Sequence, residues 1–171
     1  MVNARTRLEL IVRAAAAWPA RSQAQAGPGT PLPSLAAAGL GGGTLPETAG
    51  REVLVDSWAP WCAPCRASLP AYSRLRAAYA ARGLAVIAIG VDENPSAHEA
   101  CVARLKPAFA TPHDSRQKLA GLVRVPTTPA SYPVDRGGRL RFVNPGFHGG
   151  QTEREIRREA GPLLDEKPMR P

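Results

Sequence analysis

The sequence predicts one α/β domain, a central mixed β-sheet flanked by helices, with an extended or hairpin addition on its N-terminal side. Three observations carry this prediction. A short apolar run, Val53-Leu54-Val55, leads into a helical pattern over 67–81, and a near-continuous apolar run from Leu84 to Val91 follows. Strand, helix, strand in that order is a βαβ unit, and a run apolar at almost every position suits a strand buried on both faces. The 171 residues are 44% hydrophobic, enough for one core with trimmings.

From the start of the chain, Arg5 and Arg7 precede the apolar stretch Leu8 to Trp18, and Ala24-Gln25-Ala26 follows. Positive region, apolar region and small-residue site are the parts of a secretory signal, here interrupted by Glu9 and Arg13. The competing reading is an amphipathic or frayed N-terminal helix. Residues 1–28 are therefore assigned to a signal-like or disordered segment and linker, 29–165 to the domain, and 166–171 to a frayed tail. Processing, where it occurs, is expected after Ala26. The signal-like order points to a periplasmic or otherwise exported protein, with a cytoplasmic one as the alternative. No apolar stretch reaches the length of about 18 residues that a transmembrane helix needs. Pro31–Leu35 and Gly43–Pro46 flank a glycine-rich turn and read as a weak hairpin or extended pair.

Glu52 to Trp58 is the first strand. Its alternation puts Leu54, Asp56 and Trp58 on one face. A carboxylate on a buried face is costly, and its pKa rises. The strand leads to Trp61-Cys62-Ala63-Pro64-Cys65-Arg66. Cysteines three apart at a helix start share a face, about 5–6 Å apart, within disulfide reach. The first thiol sits where unpaired N–H groups and the helix dipole favour an anion, which makes it a nucleophile near neutral pH. Pro64 suits a first turn that needs no donor there. A structural zinc site would need two further ligands, and Cys101, His98, His113 and His148 supply no second pair at finger spacing. A purely structural disulfide would close too small a loop to stabilise much.

Leu69, Tyr72, Leu75, Ala78 and Tyr79 keep helical spacing up to Gly83. After the second strand, Glu93 stands at a strand's carboxyl end, where α/β folds gather functional groups. A helix dipole favouring an acid explains it equally well. Ser96 to Leu105 is a helix, with Cys101 on its apolar side as a small core residue. Pro107–Ala110 is a short strand or extended piece, and a helix opens at Asp114 and runs to about Val123. A strand ending at Val134-Asp135, a turn at Arg136-Gly137-Gly138-Arg139, a last strand over 140–143 and a helix over 153–164 complete the chain. His148 lies in the loop before that helix and reads as solvated.

The segment Val55-Asp56-Ser57-Trp58-Ala59-Pro60-Trp61-Cys62-Ala63-Pro64-Cys65-Arg66, with Pro70 five residues after the second cysteine, resembles the active-site segment of the thioredoxin superfamily. The extension before the first core strand resembles the TlpA/ResA-like branch. The resemblance covers roughly residues 29–165 and implies a thioredoxin-like fold and thiol–disulfide exchange through Cys62 and Cys65. It implies that Asp56 handles the proton of Cys65 and that Glu93 tunes cysteine acidity. Trp61, Ala63, Pro64, Thr128 and Pro129 are then expected to contact substrate. Such proteins place a cis-proline opposite the dithiol. Pro126 and Pro129 compete for that place, and Pro129 has the better spacing from the strand end. The implied partners are protein disulfides and a membrane thiol–disulfide carrier that supplies electrons, with no cofactor and a monomeric state.

Other classes fit less well. A peroxidase of the same fold needs a peroxidatic thiol with an activating set that CxxC matches poorly. A Cu(I)-binding chaperone is the alternative from another class, since soft thiolates favour that ion. The net charge of +8, with 19 of 22 basic residues arginine, raises nucleic acid as a partner. The arginines are scattered, form no basic run and have few aromatics among them, so a solvated basic surface is the reading and no nucleic acid is expected.

Overall fold

The computed structural model describes residues 26–166. The signal-like segment over 1–25 and the tail over 167–171 lie outside the described residues. Four strands form one sheet: β1 (Val53–Trp58), β2 (Ala85–Gly90), β3 (Ala130–Val134) and β4 (Asn144–Pro145), in the spatial order β2-β1-β3-β4. β1 and β2 run parallel, with Asp56 opposite Ala88 and Trp58 opposite Gly90. β3 runs antiparallel to β1, with Asp56 opposite Ser131. The helices are α1 (Ala63–Tyr79), α2 (Pro95–Leu105), α3 (Lys118–Val123) and α4 (Gly150–Asp165).

Alternation along the strands divides the core into two layers. Val53, Val55, Ile87, Ile89, Tyr132 and Val134 face one side, packed with Leu119 and Val123 of α3 and with Leu35 and Leu140. Leu54 and Val86 face the other, under Tyr72 and Leu75 of α1 and Ile156, Ala160 and Leu164 of α4. All six residues of β1 are buried, as are all six of β2. The two-sided burial expected for the run from Leu84 to Val91 holds in β2, and β1 shares it.

α1 begins at Ala63, with the cysteines at the helix start as expected, ahead of the helical pattern over 67–81. The cysteine pair itself builds the first turn: Cys62 is the N-cap, and Pro64 stands where no N–H is needed. Pro70 lies inside the helix, which therefore lacks the bond to the Arg66 carbonyl. A 3-10 turn over Ala80–Arg82 and left-handed Gly83 end it.

Three elements differ from expectation. The two arms of the N-terminal extension do not pair with each other. Pro31 bridges Arg139, and Gly41 bridges His113, so the extension laces across the sheet's edges. α3 starts at Lys118 because Gln117 takes a left-handed conformation. Asp114 instead caps that helix from four residues back, accepting the N–H groups of Lys118, Leu119 and Ala120 at 2.9, 2.8 and 3.0 Å. The last strand is not 140–143: only Leu140 bridges β3, and the ladder resumes at β4. Pro133 explains the gap. Its carbonyl accepts from Arg141 at 2.9 Å, but it has no N–H to return the bond.

Candidate functional site: a dithiol over a buried carboxyl

Cys62 and Cys65 are joined by a disulfide with their Cα atoms 5.3 Å apart. The two sulfurs are unequal. Cys62 is 5% exposed and Cys65 is fully buried. The Cys65 N–H points at Cys62 Sγ, 3.3 Å away. An N–H aimed at sulfur from a helix's first turn stabilises a thiolate once the pair is reduced. Facing this sulfur from the opposite side, the Thr128 carbonyl oxygen lies 3.5 Å from Cys62 Sγ. The Thr128–Pro129 peptide is cis. Ser57 ties that loop to β1, because its Oγ accepts the Ala130 N–H at 3.1 Å.

Within β1, on the side of Ser68 and Tyr72 of α1, Asp56 is fully buried and neither carboxyl oxygen has a hydrogen-bond partner. Burial pushes its carboxyl well above the usual carboxylate range, and the Ser68 hydroxyl beside it pulls the other way. Ser68 Oγ donates its one proton to the Cys65 carbonyl at 2.9 Å. Ser68 thus links the carboxyl to the turn that carries Cys65. The Tyr72 hydroxyl and Ser131 hydroxyl are buried nearby without partners. Burial, then the Asp56 charge, pushes the Tyr72 phenol up.

Residues 28–143, more than half of the chain, match the AhpC/TSA family. The chain belongs to the AhpC/TSA family. Among solved structures, a thiol:disulfide interchange protein DsbE from Chlorobium tepidum superposes with a TM-score of 0.75 at 25% identity, covering 82% of this chain and 99% of that one. A thioredoxin-like protein solved in its oxidised form gives 0.66 at 21% identity, over 81% and 97% of the two chains. The fold of this family member is accordingly thioredoxin-like. The thiol-disulfide oxidoreductase ResA of Oceanobacillus iheyensis is 26% identical over 102 residues, which is 60% of this chain and 53% of that protein. The AhpC/TSA chain thus spans about half the length of the curated relatives it matches.

Within this AhpC/TSA domain, Cys62 and Cys65 follow β1 and meet the Thr128–Pro129 loop, and Asp56 lies within that strand. Trp61 stands at the rim, 71% exposed, with Ala63 and Pro64 exposed beside it. A groove with about 330 Å³ of open volume runs from Trp61 and Thr128 to Gln117 and Arg124. Glu93 is exposed in the turn between β2 and α2 and makes no hydrogen bond or ion pair with the described residues. Cys101 is a buried free thiol packed with Trp58, Leu69 and the cysteine pair. Sequence reasoning missed two groups: Ser68, Tyr72 and Ser131 around Asp56, and a buried cluster of Asp92, His98 and His113. For the second, a signal existed in Gly90. A Cβ there would overlap the His98 ring, so glycine at the end of an apolar strand marks a side chain packed onto its backbone.

Proposed function

We propose that this protein is a thiol–disulfide oxidoreductase that reduces protein disulfides through Cys62 and Cys65. The observation that carries the reading is the asymmetric pair at the start of α1, with Cys62 5% exposed against the Thr128 carbonyl and Cys65 fully buried. The ResA and DsbE names of its relatives support the same chemistry.

In the reduced protein the Cys62 thiolate attacks one sulfur of a substrate disulfide. A mixed disulfide forms and the substrate's other sulfur leaves as a thiolate. Asp56, ionised, takes the proton of Cys65. The Cys65 thiolate then attacks Cys62 Sγ, closing the disulfide and releasing the second substrate thiolate. Two electrons pass to the substrate. In the return half, an external dithiol attacks the Cys62–Cys65 bond, and Asp56, now neutral, protonates Cys65 as it leaves. The carbonyl of Thr128 and the rim residues Trp61, Ala63, Pro64 and Pro129 hold an extended substrate segment across the pair. Glu93 is proposed to bias the acidity of the site at longer range. The external dithiol is proposed to be a membrane thiol–disulfide carrier, and the setting an exported one, on the signal-like order of residues 1–26.

The test is the reduction potential of the pair in glutathione or dithiothreitol buffers, together with trapping by Cys65→Ser. A potential on the order of −250 mV or below supports a reductase, and one on the order of −120 mV makes it an oxidant. If Cys65→Ser accumulates no mixed disulfide with a disulfide-bonded protein, exchange itself fails, and Cu(I) binding by the thiolates becomes the leading alternative.

A further inference from the structure

At the same end of the sheet, on the far side of Trp58 from the dithiol, the structure buries three metal-ligating side chains together. Asp92 follows β2, His98 lies in α2, and His113 lies in the segment that bridges β2 at Gly90. They are 6%, 2% and 7% exposed. One ligating atom of each lies within 4.8 Å of those of the other two. The exchange reaction uses none of them.

Their hydrogen bonds leave acceptors unanswered. His98 Nε2 lies 3.0 Å from the Thr111 carbonyl and so carries the proton, which leaves Nδ1 a bare lone pair. That Nδ1 is buried without a partner. Asp92 Oδ2 accepts the Asn94 N–H at 3.2 Å, while Oδ1 is buried without a partner. His113 Nε2 donates to the Asp92 carbonyl oxygen at 2.7 Å and lies 3.4 Å from Asp92 Oδ1, which leaves Nδ1 as the lone pair of that ring. His98 Nδ1 and Asp92 Oδ1 are thus two buried acceptors with no hydrogen-bond partner, and a cation would answer both.

We propose that Asp92, His98 and His113 form a binding site for a first-row transition-metal dication such as Zn²⁺. Two imidazoles and one carboxylate suit such an ion, and three protein ligands leave one coordination position for water. The His98 bond to Thr111 is the outer-shell contact that orients a ligating ring. The two rings are stacked, with centroids 4.4 Å apart and planes 14° from parallel. Binding therefore requires one ring to turn and the three atoms to draw in. Metal–ligand bonds of about 2.0–2.2 Å set that movement. The site rests on Trp58 through the His98 ring, at 5.0 Å, and stands independently of the exchange reading.

The test uses the full chain in its disulfide form, so that the cysteine pair cannot ligate. Zn²⁺ alone is titrated by calorimetry, Co²⁺ alone is followed by its visible absorption, and thermal unfolding is read with and without Zn²⁺. One ion per chain with a raised Tm is expected. Asp92→Asn keeps the shape and the Asn94 contact, and it should weaken binding at least about 10-fold. His113→Gln should weaken it as much, and His148→Gln should leave it unchanged. Failure of the oxidised chain to bind either ion overturns the proposal, as does unchanged affinity in Asp92→Asn and His113→Gln. If both variants unfold, the parent Co²⁺ spectrum decides. Bands of a four- or five-coordinate site with nitrogen ligation support the proposal, and six-coordinate bands of a surface-bound ion overturn it.

Discussion

Two carboxylates four residues apart, Glu52 just before β1 and Asp56 within it, share a strand, a face and nearly complete burial, yet their surroundings differ. Glu52 lies at the end of the sheet away from the dithiol. Burial pushes its pKa from about 4.5 up to about 8, while Arg136 and Arg82 hold it down. Arg136 is itself anchored there, donating to the carbonyls of Gly50, Arg82 and Leu164. Asp56 has no cation to offset its burial, and only the Ser68 hydroxyl opposes it. An acid with arginine charges nearby is partly offset in its burial. An acid left without a counter-charge under a disulfide costs stability and is poised to exchange protons.

The largest expected effect breaks the pair apart by activity. Asp56→Asn should lower the rate of disulfide reduction at neutral pH at least about 100-fold, the lower range for loss of an acid–base group. It should raise stability in neutral and alkaline solution by on the order of 1–3 kcal/mol, since a buried group that resists ionisation is removed. Parallel stopped-flow and denaturant titration measure both. An Asp56→Asn protein that is less stable and fully active would make Asp56 a packing residue and erase the contrast.

Glu52→Gln sharpens the comparison from the other side. A carboxyl raised in the folded state binds more protons there than in the unfolded chain, so stability falls as pH rises between the two values. Glu52 contributes stability that is intact below about 4.5 and lost by about 8. Its part of the slope reaches at most about 1.4 kcal/mol per pH unit. Glu52→Gln should flatten the stability profile in that window and leave the exchange rate unchanged. A slope that persists in the variant would move the titration to another group.

What the sequence revealed follows from the range of the interactions involved. The βαβ order, the two-sided burial of β2 and the place of the cysteines are local patterns, and residues 53–91 are read within a few positions. Period-two alternation also placed Asp56 on the face that α1 covers. The extension from Pro31 to Pro46 was legible as extended but not in its pairing, because its partners, Arg139 and His113, are remote in sequence. The start of α3 was misjudged because Asp114 caps it across a left-handed Gln117, which spacing does not reveal. Ser68, Tyr72 and Ser131 each read as ordinary helix or strand residues. Only the stacking of α1 on β1 and β3 brings them to one carboxyl.

The smallest effect concerns that surrounding shell. The Tyr72 hydroxyl is buried without a partner, and the Asp56 charge disfavours its ionisation. Its ring packs edge-on against Phe147, with centroids 5.9 Å apart, and that contact needs no hydroxyl. Tyr72→Phe removes an unanswered polar atom and keeps the ring, so stability should change by no more than about 1 kcal/mol, upward if at all. Exchange should keep its rate at the optimum. If the variant instead moves the pH profile of exchange, the hydroxyl is in contact with the proton of Asp56. The carboxyl would then be less isolated than Glu52 makes it look, and the difference between the two ends of β1 would lie in hydrogen bonding rather than in counter-charge.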